Sequence, residues 1–222
     1  MSLKMHNPRW TKVDQYVEDL LIPPDPMLDA AQTASAAAGL PDIAVTSSQG
    51  KFLHLLAKMQ GARRILEIGT LGGYSTIWLA RALPADGHLV TLEADATHLN
   101  VARENIARAG LSHLVEQRLG PALETLPQLT GPFDFIFIDA DKENAAGYFK
   151  WSVRLSRPGT AILVDNVVRG GAVVKPPARD TSSRGIHEMN EAIRREPRVT
   201  ATTVQTVGRK GYDGFTLMLV TD

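Results

Sequence analysis

The spacing of apolar positions changes character near residue 63. Upstream of that point it is helical. Val13, Tyr16, Val17, Leu20 and Leu21 recur at helical intervals, and Pro23, Pro24 and Pro26 end the segment. Met27 to Ala38 reads as a second helix, stopped near Gly39 and Pro41. Ser47 or Ser48 can cap a third, which carries Phe52, Leu53, Leu56 and Met59 on one face. No strand is predicted in the first 60 residues.

From Arg63 onward short apolar runs alternate with helical stripes. RILEIG (64–69) and HLVTLE (88–93) read as strands, with a helix over Tyr74–Leu83 between them. Asp95 caps a helix with Leu99, Ala102, Ile106 and Ala109 on one stripe, and Gly110 ends it. Leu114–Arg118 is a weaker strand, followed by a short helix over Ala122–Leu129. FDFIFID (133–139) and TAILVD (160–165) are almost wholly apolar, as in strands buried on both faces. Helices are predicted over Asn144–Leu155 and Ser183–Arg195, with late strands near Val199–Thr206 and Phe215–Val220. This alternation predicts an α/β fold: a mostly parallel seven-stranded sheet with helices on both faces. Residues 1–60 are then a helical prefix to a core over 61–222, within one domain spanning 1–222.

Composition narrows the function classes. Twenty-four basic residues balance 24 acidic ones, which argues against a broad nucleic-acid footprint. The absence of cysteine excludes disulfides, thiolate metal sites and a Cys nucleophile. No apolar run approaches the roughly 18 residues that span a bilayer. MSLKMHNPRW lacks the apolar core of a signal peptide, so a soluble cytoplasmic protein without membrane partners is expected.

Ligands of such sheets sit at the carboxyl ends of the strands. Here those ends carry Glu67–Gly69, Glu93, Asp139–Asp141 and Asp165–Asn166. Carboxylates at the edge of a buried sheet need partners. EIGTLGGYS (67–75) is a glycine-rich strand-to-helix turn, but its spacing is not the G-x-G-x-x-G of a dinucleotide site, and no Gly-Lys-Ser/Thr makes it a P-loop. Glu67 would repel phosphates and suits a cationic, amine-bearing ligand; Glu93 can accept from ribose hydroxyls. Together they suggest a nucleoside with an amino-acid tail and no phosphates, S-adenosylmethionine; a tight turn without a ligand is the alternative.

Asp139 ends one buried strand and Asp165–Asn166 end the next. Neighbouring strands lie about 4.8 Å apart, so three oxygen donors can converge. Two carboxylates and an amide oxygen suit a hard cation, Mg²⁺ first, with Ca²⁺ or Mn²⁺ also compatible. Helix capping by either Asp is the alternative. Lys142 follows Asp139 by three residues. A nearby cation and a helix N-terminus both disfavour its ammonium form, which suits a general base; a solvent-facing lysine is the other reading.

LEIGTLGGYS, GPALETL, FDFIFIDADK and VDNVVRGGAVV, in this order and spacing, resemble the cation-dependent O-methyltransferases, the family of caffeoyl-CoA and catechol O-methyltransferases. The resemblance runs from about Thr46 to the C-terminus. It implies a Rossmann-like S-adenosylmethionine-dependent methyltransferase fold acting on a small molecule with adjacent hydroxyls. It further implies that Asp139, Asp165 and Asn166 hold the cation, and that Lys142 is the base or positions the phenol. Glu67, Gly69, Thr70 and Ser75 would meet the methionine part of the cofactor, Glu93 the ribose and Ala122 the adenine; Val45 and Asp141 match further cofactor neighbours. The loop Val167–Arg179 would border the acceptor, with Gly170 and Gly171 allowing movement and Lys175 and Arg179 facing an anion or solvent. A homodimer is implied by the resemblance alone. Tyr212 and Asp213 either reach the acceptor or shape a hairpin loop. The histidines, among them His54, His98 and His113, read as structural or exposed. The rival readings are a cation-independent methyltransferase, a non-catalytic cofactor-binding protein and, disfavoured by the glycine spacing, a nicotinamide oxidoreductase.

Overall fold

The computed structural model describes residues 7–222; the expectation about a leader segment falls partly on residues 1–6, outside the described residues. Seven strands are formed: β1 (Arg64–Ile68), β2 (His88–Glu93), β3 (Val115–Leu119), β4 (Phe135–Ile138), β5 (Ala161–Asp165), β6 (Val199–Gly208) and β7 (Gly211–Val220). They make one sheet in the order β3-β2-β1-β4-β5-β7-β6. The first five pair in parallel, and β7 runs antiparallel to both β5 and β6. Strand order reverses between β1 and β4, so the crevice beyond their carboxyl ends is where such a sheet holds its ligand.

Two apolar cores sandwich the sheet. On one face Leu53, Ile77 and Ala102 pack on Ile65, Phe135 and Phe137. They come from α3 (Ser47–Met59), α4 (Tyr74–Ala80) and α5 (Ala96–Arg108). On the other, Phe149 of α7 (Ala145–Arg154) and Met189 of α8 (Thr181–Arg195) pack on Leu66, Ile136 and Ile162. The short α6 (Ala122–Thr125) follows β3. Among the described residues no helix is long and apolar enough to cross a membrane.

The helical prefix is present as α1 (Pro8–Leu21), α2 (Pro26–Ala37) and α3. Its details depart from expectation. Thr46, not Ser47 or Ser48, caps α3: its hydroxyl accepts from Gln49 N at 3.2 Å, while Gln49 Oε1 accepts from Thr46 N at 3.1 Å. That is a reciprocal capping box. The sequence sets no direction for the apolar stripe of α1, and in the structure most of it is exposed. Val13, Tyr16, Leu20 and Leu21 are between 59% and 67% exposed. The inward side carries Asp14 and Glu18, because both pair with Arg209 in the β6–β7 turn.

Other boundaries shift for local reasons. The chain leaves the α-helical pattern after Ala80, where Ala82 and Leu83 bond three residues back ahead of Pro84. Asp180 caps α8, which starts at Thr181 instead of Ser183. Strand β7 starts at Gly211, not Phe215, since Tyr212, Asp213 and Gly214 pair with Val207, Thr206 and Gln205. Residues Arg169–Val174 of the expected loop wind into 3₁₀ turns broken by Gly170 and Gly171.

Candidate active site

A cavity of about 1590 Å³ opens at the carboxyl ends of β1, β2, β4 and β5. Val45, Gly69, Thr70, Ser75, Glu93, Ala122, Asp139, Asp141, Lys142, Asp165 and Asn166 all lie on its wall. Glu67 is the predicted contact that does not.

The glycine loop is built to come close to its neighbours. Gly69 has φ 99°, and a Cβ there would stand 2.3 Å from Asp139 O. Only glycine combines that backbone with that approach. Glu93 clasps the loop from β2: its Oε2 accepts from Leu71 N at 2.8 Å and from Thr70 N at 3.2 Å, and its Oε1 from Asp95 N at 3.0 Å. His98, read from sequence as structural or exposed, also lies on the cavity wall, with Nδ1 3.7 Å from Glu93 Oε1.

Glu67 stands one layer behind the cavity. It is fully buried, with Oε1 accepting from Ser75 Oγ at 2.7 Å and Oε2 from Thr76 Oγ1 at 2.5 Å and Thr91 Oγ1 at 2.7 Å. Burial pushes its pKa up to about 7 against the pull of those three hydroxyls. Its path to a ligand runs through Ser75, which does line the cavity.

The three residues with oxygen donors lie on one cavity wall, at the ends of neighbouring strands. Strands β4 and β5 pair with Ile138 opposite Val164, so Asp139 and Asp165 continue that register side by side. Asn166 adopts a left-handed backbone, φ 58°, which keeps it on the same cavity as Asp165. Asparagine tolerates that conformation better than most residues. Asp165 is buried, and burial first and the repulsion of Asp139 second raise its pKa to about 7. Two carboxylates that repel each other, with an asparagine on the same wall, have the chemistry that a hard cation takes. Lys142 Nζ lies 2.8 Å from Asp139 Oδ1 and is 8% exposed. Its backbone is pressed by α8, where a Cβ on Gly185 would fall 2.1 Å from Lys142 O.

Among the wall residues, Gln49, Asn144 and Tyr148 carried no sequence signal. Gln49 Nε2 donates to Asp165 Oδ2 at 3.4 Å. Asp141 accepts from Asn144 Nδ2 at 2.7 Å and from the Tyr148 hydroxyl, whose own pKa is raised by burial and by that carboxylate. Arg169 lines the cavity, whereas Lys175 and Arg179 lie off its wall. Tyr212 and Asp213 line it as well; Asp213 Oδ1 accepts from the amides of Val168, Arg169 and Gly214, so it shapes the loop after β5.

Comparison with known proteins places this geometry in context. A family model described as O-methyltransferase matches residues 24–220. A catechol O-methyltransferase of Mycobacterium tuberculosis is 52% identical over 209 residues, 94% of each chain. The crystal structure of an O-methyltransferase from Bacillus cereus in complex with SAH superposes with a TM-score of 0.94 at 56% identity, covering 96% of this chain and 99% of that one. The O-methyltransferase TomG from Streptomyces achromogenes, solved with SAM, gives a TM-score of 0.94 at 52% identity over 98% of this chain and 100% of its own.

Proposed function

Since the chain belongs to the O-methyltransferase family and is an S-adenosylmethionine-dependent enzyme of that kind, we propose that it methylates one hydroxyl of a catechol-like or caffeoyl-type small molecule with the aid of a divalent cation. The observation that carries this reading is the meeting of Asp139, Asp165 and Asn166 beside a buried Lys142 on one cavity wall.

Asp139, Asp165 and Asn166 would hold the cation, Mg²⁺ in the first instance. Such an ion would supply Lewis acidity that lowers the pKa of an acceptor hydroxyl. S-Adenosylmethionine supplies the methyl group on a positively charged sulfur. This chain's residues do the rest. Gly69, Thr70 and Ser75 receive the methionine part, with Glu67 orienting Ser75 from behind. Glu93 accepts from the ribose while holding the loop amides. Ala122 borders the adenine; Val45 and Asp141, the latter fixed by Asn144 and Tyr148, complete the cofactor wall. Lys142 Nζ takes up the acceptor's proton or steadies the resulting oxyanion. The acceptor oxygen forms its bond to the methyl carbon as the carbon–sulfur bond breaks. Anion and cation thereby become two neutral products. Holding them aligned contributes on the order of 7–11 kcal/mol in favourable cases.

Two copies of the chain are proposed to pair; the exposed apolar residues of α1 support this, and light scattering in solution tests it. The reaction itself is tested by transfer of labelled methyl to catechols and caffeoyl esters with Mg²⁺, Mn²⁺ or Ca²⁺ and with EDTA. Turnover that stops with EDTA and returns with the cation is expected. Turnover indifferent to EDTA overturns the cation assignment, and no turnover with any diphenol overturns the acceptor class.

A further inference from the structure

Among the described residues of the cavity wall, Arg169 is a cationic side chain whose guanidinium has no hydrogen bond or ion pair. Lys142 faces Asp139, Arg209 faces Glu18, and Lys210 donates to Ala44 O. Arg169 also lines the cavity, but its Nε is buried without a hydrogen-bond partner. Buried donors are almost always paired, so a guanidinium left without an acceptor on the wall of a ligand cavity marks a place for one. Asp180, on which the charge of Arg169 bears, is already engaged by Ser183 N at 2.9 Å and Ser183 Oγ at 2.6 Å.

The backbone at this position is held in place for a purpose. Arg169 has φ 57°, a left-handed conformation that is costly for a long side chain. It persists because Asp213 Oδ1 accepts from Val168 N at 2.9 Å and Arg169 N at 3.0 Å, pinning the turn to β7. The guanidinium is thus delivered to the cavity by a fixed turn three residues after Asn166. A guanidinium offers its two terminal nitrogens as a fork of donors, which matches the two oxygens of a carboxylate.

We infer that Arg169 reads a carboxylate on the methyl acceptor, so that the site selects catechol-like acids over neutral catechols. This rests on the acceptor class proposed above. The methionine carboxylate of the cofactor offers the same chemistry, but Arg169 belongs to the loop after β5, away from the glycine loop that receives the methionine part.

The experiment is calorimetric titration of 3,4-dihydroxybenzoate and of catechol into the protein with Mg²⁺ and S-adenosylhomocysteine, for wild type, Arg169→Met and Arg169→Lys. The wild type is expected to bind the acid about tenfold or more tightly than catechol. Arg169→Met should erase that preference and leave catechol unchanged, and Arg169→Lys should retain only part of it. Affinity for S-adenosylhomocysteine, measured alone, should stay within about twofold and also reports that each variant is folded. The inference is overturned by a preference that survives in Arg169→Met, by equal losses for both diphenols, by a wild type without preference, or by loss of S-adenosylhomocysteine affinity in place of the acid's. Arg169-dependent binding of the acid without methyl transfer to either diphenol supports the inference while overturning the proposed reaction. Cation-dependent turnover of catechol with no binding of the acid does the reverse.

Discussion

Gln49 Nε2 donates to Asp165 Oδ2 at 3.4 Å, joining the first turn of α3 to the end of β5 across 116 residues of chain. The same amide closes the capping box through Oε1, which accepts from Thr46 N at 3.1 Å. One side chain therefore starts a helix and steadies a buried carboxylate. Gln49→Ala should cost about 1 kcal/mol of stability through the lost cap. It should also raise the Mg²⁺ concentration for half-maximal turnover by about tenfold, as the loss of a supporting hydrogen bond does at metal sites. Gln49→Glu keeps an acceptor for Thr46 N but no donor for Asp165. Thermal unfolding should recover only in part in that variant, because a third carboxylate then stands beside Asp165 and Asp139. Full recovery of the Mg²⁺ response as well would show that the contact to Asp165 is incidental.

Asp165→Asn separates chemistry from cofactor binding. The substitution removes one of two crowded carboxylates, and losing several kcal/mol of charge stabilisation corresponds to roughly a thousandfold in turnover. Affinity for S-adenosylhomocysteine should change by less than about twofold, because the cofactor wall is built from other residues. Stability should rise near pH 8, since the buried carboxylate is held above its ordinary pKa by burial and by Asp139. An equal loss of cofactor affinity would overturn the division of roles.

Glu93 is expected to act on the cofactor twice, through the ribose and through the loop it holds. Glu93→Ala leaves Thr70 N and Leu71 N without their acceptor. Hydrogen bonds to a charged group contribute about 1.5–3 kcal/mol, so affinity for S-adenosylhomocysteine should fall about tenfold to a hundredfold by calorimetry. Glu93→Gln retains one acceptor oxygen and should fall between the two. Unchanged affinity in Glu93→Ala would remove the ribose assignment.

The parts of this design that are local were legible in the residues. RILEIG and FDFIFID are apolar runs too short for helices, and the acids after them sit where a parallel sheet ends. The parts set by distant partners were not. The spacing in α1 predicts a helix without saying which face turns inward, and that face carries Asp14 and Glu18, which meet Arg209 nearly 200 residues away. Glu67 looked like a ligand contact, and only the three hydroxyls around it reveal a buried support. Tyr212, Asp213 and Gly214 have the composition of a loop but pair as strand. Gln49 in a helix's first turn looks like a surface residue until the fold brings it to the cavity, and within the loop expected to border the acceptor nothing singles out Arg169 over Lys175 and Arg179.

Glu67 gives the stability curve a specific slope. Its carboxyl is pushed from an ordinary value near 4.5 up to about 7, chiefly by burial. A group whose folded-state pKa is raised favours folding in its protonated form. That contribution is complete below about pH 4.5, declines as the pH climbs toward 7, and is gone above it. The size is on the order of 3 kcal/mol. Asp25 and Asp134 work in the opposite sense, because Arg81 and Arg157 hold their carboxyls below the usual range, so their contribution is lost at still lower pH. A comparison with Glu67→Gln isolates the buried group. Urea unfolding of the two proteins between pH 4 and 8 should show wild type losing stability relative to the variant through the window from about 4.5 to 7, then a constant gap. The loss of one acceptor oxygen for Ser75, Thr76 or Thr91 shifts the variant's curve as a whole without changing that slope. Parallel curves across the window would mean that Glu67 stays ionised behind Ser75, and that the three hydroxyls outweigh the cost of its burial.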